Sequence, residues 1–403
     1  MDFFPSLADN SLWMRDKGDH YEYIGVYVDD LEIASKDPQA IIDIFIKKYK
    51  FSLKGVGPLT YHLGCDFYRD RHDTLCQSPK KYIERMIDNF KRMFGHSPKY
   101  YTSPLEKGDH PEMDASPELD LEGIKKYQSL IGSAQWAVSL GRFDIATAVM
   151  TMSAFRAAPR EGHMGRVKRI IGYLAKMRHG ALRYRTGRPD LSALPDQPNE
   201  WKNTPYGDAK EIIPHNAPKP LGKPVDTIHY FDANLLHDFI SGKAVTATLT
   251  ALNKTVIDWY TKKQGTVESS TFTAEYLAGR TTTDQVIDMR NTLRYMGIPV
   301  GRTVVFGDNQ SVITNSTIPQ SQLQKRHAAL SYHRVREAIA ADIFRLYHIS
   351  GDENPSDVLS KHWGYSQVWK LLQPILFWDG DTGKLLKQES PSHNDTGEEK
   401  VNG

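Results

Sequence analysis

From Gly187 to Pro224 the chain reads GRPDLSALPDQPNEWKNTPYGDAKEIIPHNAPKPLGKP, dense in proline and glycine, with apolar residues recurring at neither the strand nor the helix period. Proline fixes φ and removes a backbone donor, so such a run cannot be built into the interior of a sheet or a helix. The 403 residues therefore divide here, each side being long enough to bury a core of its own. A linker over 186–225 is the expectation.

Upstream, YEYIGVYVDDLEIAS alternates apolar residues with others and reads as a hairpin with Asp29 and Asp30 at its tip. DPQAIIDIFIKKYK opens a helix with Asp37 as cap and Pro38 in the first position. SPKKYIERMIDNFKRMFG is an amphipathic helix capped by Ser78. After the polar interruption LEKGDHPEMDASPELDLEG, two helical stretches form a small section near residues 120–180.

Downstream the periodicity restarts at DTIHYFDAN. A hairpin follows, turning at Leu252 to Lys254, and then a long helix from Ser270 that ends at Gly297. The full order is three strands, a helix, a strand, a helix, a strand and a helix, which makes a mixed sheet covered by helices within an α+β chain. The last residues, KQESPSHNDTGEEKVNG, are polar, and a disordered tail over 366–403 is expected.

Composition excludes several classes. No apolar run approaches the ~20 residues that span a bilayer, and the amino terminus MDFFPSLADNSLW lacks a basic region followed by an apolar core. No membrane partner is expected, and the location is intracellular, cytoplasmic or nuclear. Cys65 and Cys76 make no disulfide framework, and no Cys/His cluster has zinc spacing. A net charge of +2 conceals basic blocks such as GRVKRIIGYLAKMRHGALRYRTGR and QKRHAALSYHRVRE, suited to a polyanion.

Four acids fall where a sheet can gather them: Asp232 in the first downstream strand, Glu275 in the first turns of the long helix, Asp308 at the end of the fourth strand, Asp357 opening the last helix. Carboxylates brought that close repel one another, and divalent cations remove the penalty. Two such ions about 3.5 to 4 Å apart stabilise both oxygens of a phosphodiester displacement. Each acid also has a plain structural reading. On that reading Asp357 serves only the helix dipole, Asp308 a turn, and Glu275 a solvated face, whereas Asp232 within an apolar strand needs a partner.

YVDDLEIAS, GVGPLTYHLGCDF and SPKKYIERMIDNF, in that order, resemble the later palm of reverse transcriptases of the Ty1/copia retrotransposon class. YQSLIGSAQWAVSLGRFDIATAVMTMSAF with VKRIIGYLAK resembles their thumb and connection region. YFDAN, DWYTKKQGTVESSTFTAEY, FGDNQS, KRHAALSYHRVRE and NPSDVLSKHW resemble their ribonuclease H domain. The resemblance implies a truncated palm over 1–105, a helical thumb/connection section over 106–185, and a ribonuclease H-like mixed five-stranded sheet with flanking helices over 226–365.

It also implies roles. Asp29 and Asp30 correspond to the paired metal-holding acids of the palm, and Asp232, Glu275, Asp308 and Asp357 to the four metal-binding acids of ribonuclease H. Two Mg²⁺ are the expected cofactors, with Mn²⁺ an alternative. The expected reaction is hydrolysis of the RNA strand of an RNA:DNA hybrid; the expected partners are that hybrid, RNA and DNA. Lys262, Lys263, Lys325 and Arg326 are candidate phosphate contacts or else solubilising charge, and His327 and His333 are auxiliaries to proton transfer or product release or else structural. Polymerase activity is expected to be lost, because residues 1–20 leave no room for the strand that carries the family's third palm acid, unless another chain supplies an upstream segment. YFDAN and LLHDFISGKAVTATLT depart from the commoner copia form, which bears on the substrate groove. The alternative is a catalytically inactive, nucleic-acid-binding or domesticated remnant.

Overall fold

Strand β9 (Val225–Asp238) is the spine of the five-stranded sheet. Its residues from Asp226 to Ala233 are buried almost without a break, the pattern of a strand covered on both faces. The computed structural model describes residues 1–197, 200–323 and 325–378. In it β9 pairs antiparallel with β10 (Lys243–Leu252), which pairs with β11 (Thr255–Lys263) across a two-residue turn where Asn253 takes a positive φ of 52°. On its other side β9 runs parallel to β12 (Val300–Gly307), and β12 parallel to β13 (Arg345–His348). The sheet order β11-β10-β9-β12-β13 is the expected mixed five-stranded sheet.

Helix α6 (Thr271–Tyr295) joins β11 to β12; Ser270 caps its first turn, and Gly297 with φ of 69° ends it. Between β12 and β13 the structure has two helices, α7 (Gln310–Thr317) and α8 (Ala329–Ala340), where the periodicity suggested one. The linker is not a free tether. Trp201 and Tyr206 are buried in the core that α6, α7 and α8 form against the sheet, with the Arg336 guanidinium 4.7 Å and 5.4 Å from their rings. Glu211 pairs with Arg290 at 2.6 Å and Arg294 at 2.7 Å, and those bonds outweigh its burial and hold its carboxyl down at about 2. The run is a strap: aperiodic, but fastened by aromatic and ionic anchors that its sequence pattern does not reveal.

The opposite face of the sheet, through Ala247 and Leu249, shares one core with helices α2 (Lys80–Phe94), α3 (Leu121–Ser139), α4 (Ala146–Ser153) and α5 (Glu161–Lys176). Residues 1–105, read as a partial palm, fold as two separate sheets. β1 (Phe4–Pro5), β2 (Leu12–Asp16), β3 (Tyr21–Tyr27) and β4 (Asp30–Ala34) form one antiparallel meander. β5 (Tyr61–His62), β6 (Cys65–Arg69) and β7 (Leu75–Ser78) form the other, completed by β8 (Leu182–Arg183) from beyond the helical section. Helix α2 contributes Ile83, Met86 and Phe90 to the helical core. Ser78 does not cap it; its hydroxyl donates to the Gly180 carbonyl at 3.0 Å, tying β7 to the segment before β8. Asp37 does cap α1 (Pro38–Asp43), which continues as a π-helical turn over Ile44–Lys48.

The tail is also revised. Residues 365–376 form helix α9, whose Val368, Leu372 and Leu376 are buried in the helical core, so the chain from 366 is not a free end. Of the expected disordered tail, residues 379–403 lie outside the described residues. Both cysteines, Cys65 and Cys76, are buried. Among the described residues no helix is long and apolar enough to cross a membrane.

Candidate active site

The site is built where β9, β12 and α6 meet. Asp232 sits near the middle of β9, and its buried carboxylate accepts a hydrogen bond from the Ser360 hydroxyl. Asp308 follows directly on Gly307, the last residue of β12. A Cβ at that glycine would lie 2.4 Å from the Phe231 ring, so the strand end approaches β9 closely only because the side chain is absent. Asn309 then caps α7 with a bond from Val312 N at 3.2 Å, which leaves Asp308 between the strand end and the helix start. Glu275 lies in the second turn of α6 and accepts from Ala233 N at 3.3 Å through Oε1.

These three carboxylates converge: one oxygen from each of Asp232, Glu275 and Asp308 lies within 4.8 Å of the others. Asp232 and Glu275 are buried, and Asp308 is half-buried. Glu275 Oε2 is buried and has no hydrogen-bond partner. Burial, and then the charges of Asp232 and Asp308, push the Glu275 carboxyl well above the ordinary range; burial and the Asp232 charge push Asp308 up to about 6. An orphaned acceptor among three converging carboxyl groups, with Glu275 and Asp308 both pushed up, fits a divalent cation with oxygen ligands.

The fourth acid behaves differently. A short 3₁₀ turn, Pro355–Leu359, is anchored by Asn354, whose amide donates to Phe231 O at 2.9 Å and whose Oδ1 accepts from Ser356 N at 3.2 Å. Asp357 sits on this turn beside the site, yet it does not belong to the three-acid group; it is hydrogen-bonded to Lys361 Nζ, which also lies 3.5 Å from Asp232 Oδ2. Lys361 and Ser360 were not singled out in the sequence. The visible signal for Lys361 was its spacing, four residues after an acid in a helical turn.

The remaining candidates scatter. Asp29 and Asp30 are exposed at the β3–β4 turn and belong to no acidic group among the described residues. Their sheet is tied to the end of α6 by Tyr23 OH on Met296 O at 2.8 Å and Ser6 Oγ on Tyr295 O at 3.0 Å, about 30 Å along the helix from Glu275. Lys262 and Arg326 are exposed. Lys263 is paired with Asp238, and Lys325 Nζ donates to Ser270 Oγ at 2.6 Å at the start of α6. His327, exposed, meets Ser269 Oγ at 3.3 Å, and His333 Nδ1 is taken by the strap's Tyr206 OH at 2.5 Å.

A pH dependence follows. The Asp308 carboxyl titrates near 6 in the fold and near 3.9 in an unfolded chain, so its contribution to stability is present below about pH 4 and is lost as pH rises through about 6. In EDTA the melting temperature of the wild-type protein should therefore fall, relative to Asp308→Asn, between about pH 4 and 7, and Mg²⁺ should restore it. Parallel melting curves for the two proteins over that range would contradict the site's electrostatics.

No protein-family model matches the chain. It is 28% identical over 351 residues to the retrovirus-related Pol polyprotein from transposon TNT 1-94 of Nicotiana tabacum, covering 83% of this chain and 23% of that protein. To the corresponding polyprotein from transposon RE1 of Arabidopsis thaliana it is 26% identical over 362 residues, 89% of this chain and 22% of that one. A putative transposon Ty5-1 protein of Saccharomyces cerevisiae is 28% identical over 221 residues, 53% of this chain and 65% of that protein. The chain thus spans less than a quarter of the plant polyproteins it matches. Among solved structures, RNase H1 from Halobacterium salinarum NRC-1 aligns with 34% of this chain and 94% of its own at 18% identity, with a TM-score of 0.26.

Proposed function

We infer, taking the chain as a relative of the Pol polyproteins of copia-type retrotransposons, that the part built on the five-stranded sheet is a divalent-cation-dependent nuclease that hydrolyses the RNA strand of RNA:DNA hybrids. The observation that carries this reading is the convergence of Asp232, Glu275 and Asp308 around the unpartnered Glu275 Oε2. Asp232, Glu275 and Asp308 would hold Mg²⁺, or Mn²⁺ in its place, with Asp357 at hand for a second ion. Bound there, such ions supply the charge that lets water attack a phosphodiester and the departing oxygen leave.

The chain's own groups prepare the site. Ser360 fixes the Asp232 carboxylate, and Ala233 N aims Glu275. Exposed Lys262 and Arg326 are placed to meet phosphates, each adding a salt-dependent increment. Recognition of the RNA strand would come from its 2′-hydroxyls in a wide, shallow minor groove. Asp29 and Asp30 have no third carboxylate beside them among the described residues, and we assign them no part in cleavage.

The test is cleavage of a labelled hybrid by the full chain in Mg²⁺ and in Mn²⁺, beside duplex DNA and duplex RNA. The RNA strand of the hybrid alone should be cut, and Asp29→Asn with Asp30→Asn should leave the rate unchanged. A folded protein that binds the hybrid and cuts nothing with either metal would establish the non-catalytic alternative instead.

A further inference from the structure

The sequence pattern offers four acids for two ions, but the structure divides them three and one, and the divider is Lys361. The backbone makes one helical turn here, with Lys361 N bonded to Asp357 O at 3.3 Å, so the Lys361 side chain returns over Asp357. Its ammonium is hydrogen-bonded to Asp357 Oδ1 and stands 3.5 Å from Asp232 Oδ2. It is thus held between two carboxylates that a second ion would need, while its side chain remains 40% exposed and has a way out to solvent. Burial disfavours the ammonium, but the charges of Asp232 and Asp357 outweigh that and raise its pKa above the ordinary lysine value.

We propose that Lys361 is a built-in cation of the resting site, occupying the place between Asp232 and Asp357. In the absence of nucleic acid the protein then takes up one divalent ion, at Asp232, Glu275 and Asp308. A second enters only when Lys361 leaves Asp357. The free enzyme is in this way kept from assembling the full two-ion site until a polyanion is present, whose phosphate offers the displaced ammonium another partner. This rests on the metal-site reading above and deepens it, since it assigns the order of ion uptake to one side chain.

The test is ion stoichiometry. Mn²⁺ binding to the full chain without nucleic acid is counted by electron paramagnetic resonance of the free ion and by calorimetry, for wild type, Lys361→Met and Lys361→Arg. Circular dichroism confirms that each variant is folded. Wild type and Lys361→Arg should bind one ion. Lys361→Met should bind two, the second at least about tenfold more tightly than any further binding to wild type, because a like charge has been removed next to the site. Adding Asp357→Asn to Lys361→Met should return the count to one. Two ions on wild type, or one on Lys361→Met, would overturn the proposal while leaving the nuclease reading intact. No ion on any of them would overturn both. Should Lys361→Met fail to fold, the wild-type count decides the matter: one ion without nucleic acid and two with an RNA:DNA hybrid bound are expected, and the same count in both states refutes the proposal.

Discussion

Asp308→Asn should lower hybrid cleavage by at least about a hundredfold, the scale on which removing one preorganised charge-stabilising group acts, while hybrid binding is kept or strengthened. The substitution preserves shape. Gly307 still admits the Phe231 ring, and the Asp308 carbonyl still meets His348 Nε2 at 3.1 Å. What is lost is one anionic oxygen of the three that converge. Binding should not suffer, because a negative group facing phosphate is removed with it. The same change removes a carboxyl that burial, and then the Asp232 charge, lift to about 6, so the variant should also melt higher than wild type in EDTA at neutral pH. Rate loss together with a raised melting temperature is a signature that misfolding cannot produce. Cleavage within about threefold of wild type would remove Asp308 from the reaction.

The second large effect is on stability. Arg142 and Asp144 are fully buried and joined by two hydrogen bonds of 2.9 Å and 2.6 Å, and Tyr173 OH donates to the same carboxylate at 2.7 Å. The guanidinium lies 5.7 Å and 5.6 Å from the Tyr173 and Phe377 rings, away from water. Asp144→Ala leaves that charge without its counterion and should cost about 3–5 kcal/mol in urea unfolding. Replacing both partners with apolar side chains, Arg142→Met with Asp144→Leu, should recover most of the loss, since a buried pair contributes little beyond its own desolvation. A single variant as stable as wild type would mean that water reaches the pair.

Particular residues show what the sequence made legible. β9 was readable because it is buried on both faces, and α6 because Ser270 and Gly297 mark its ends with local chemistry. Asp232 was conspicuous as an acid among apolar neighbours; the structure answers the question of its partner with Ser360 and the neighbouring acids. The strap was misleading for a physical reason. Its order comes from Trp201, Tyr206 and Glu211 meeting Arg336, Arg290 and Arg294, all more than seventy positions away, and no local period encodes such pairings. α9 was missed for a similar reason: one helix flanked by a long polar run was absorbed into the run. Asp357 had the right neighbourhood but the wrong company, because an ammonium four positions on reaches it first.

The sheet's shared core with α2 to α5 has a practical consequence for anyone cutting this chain. Ala247, Leu249, Val358, Leu359 and Trp363 have their apolar contacts with segments far upstream. An excised piece spanning 226–365 would carry a bare, greasy flank where those helices belong, and would also lose the Trp201 and Tyr206 anchors on the reverse side. Silence from such a truncated preparation would report on handling, and the intact polypeptide is the specimen to assay.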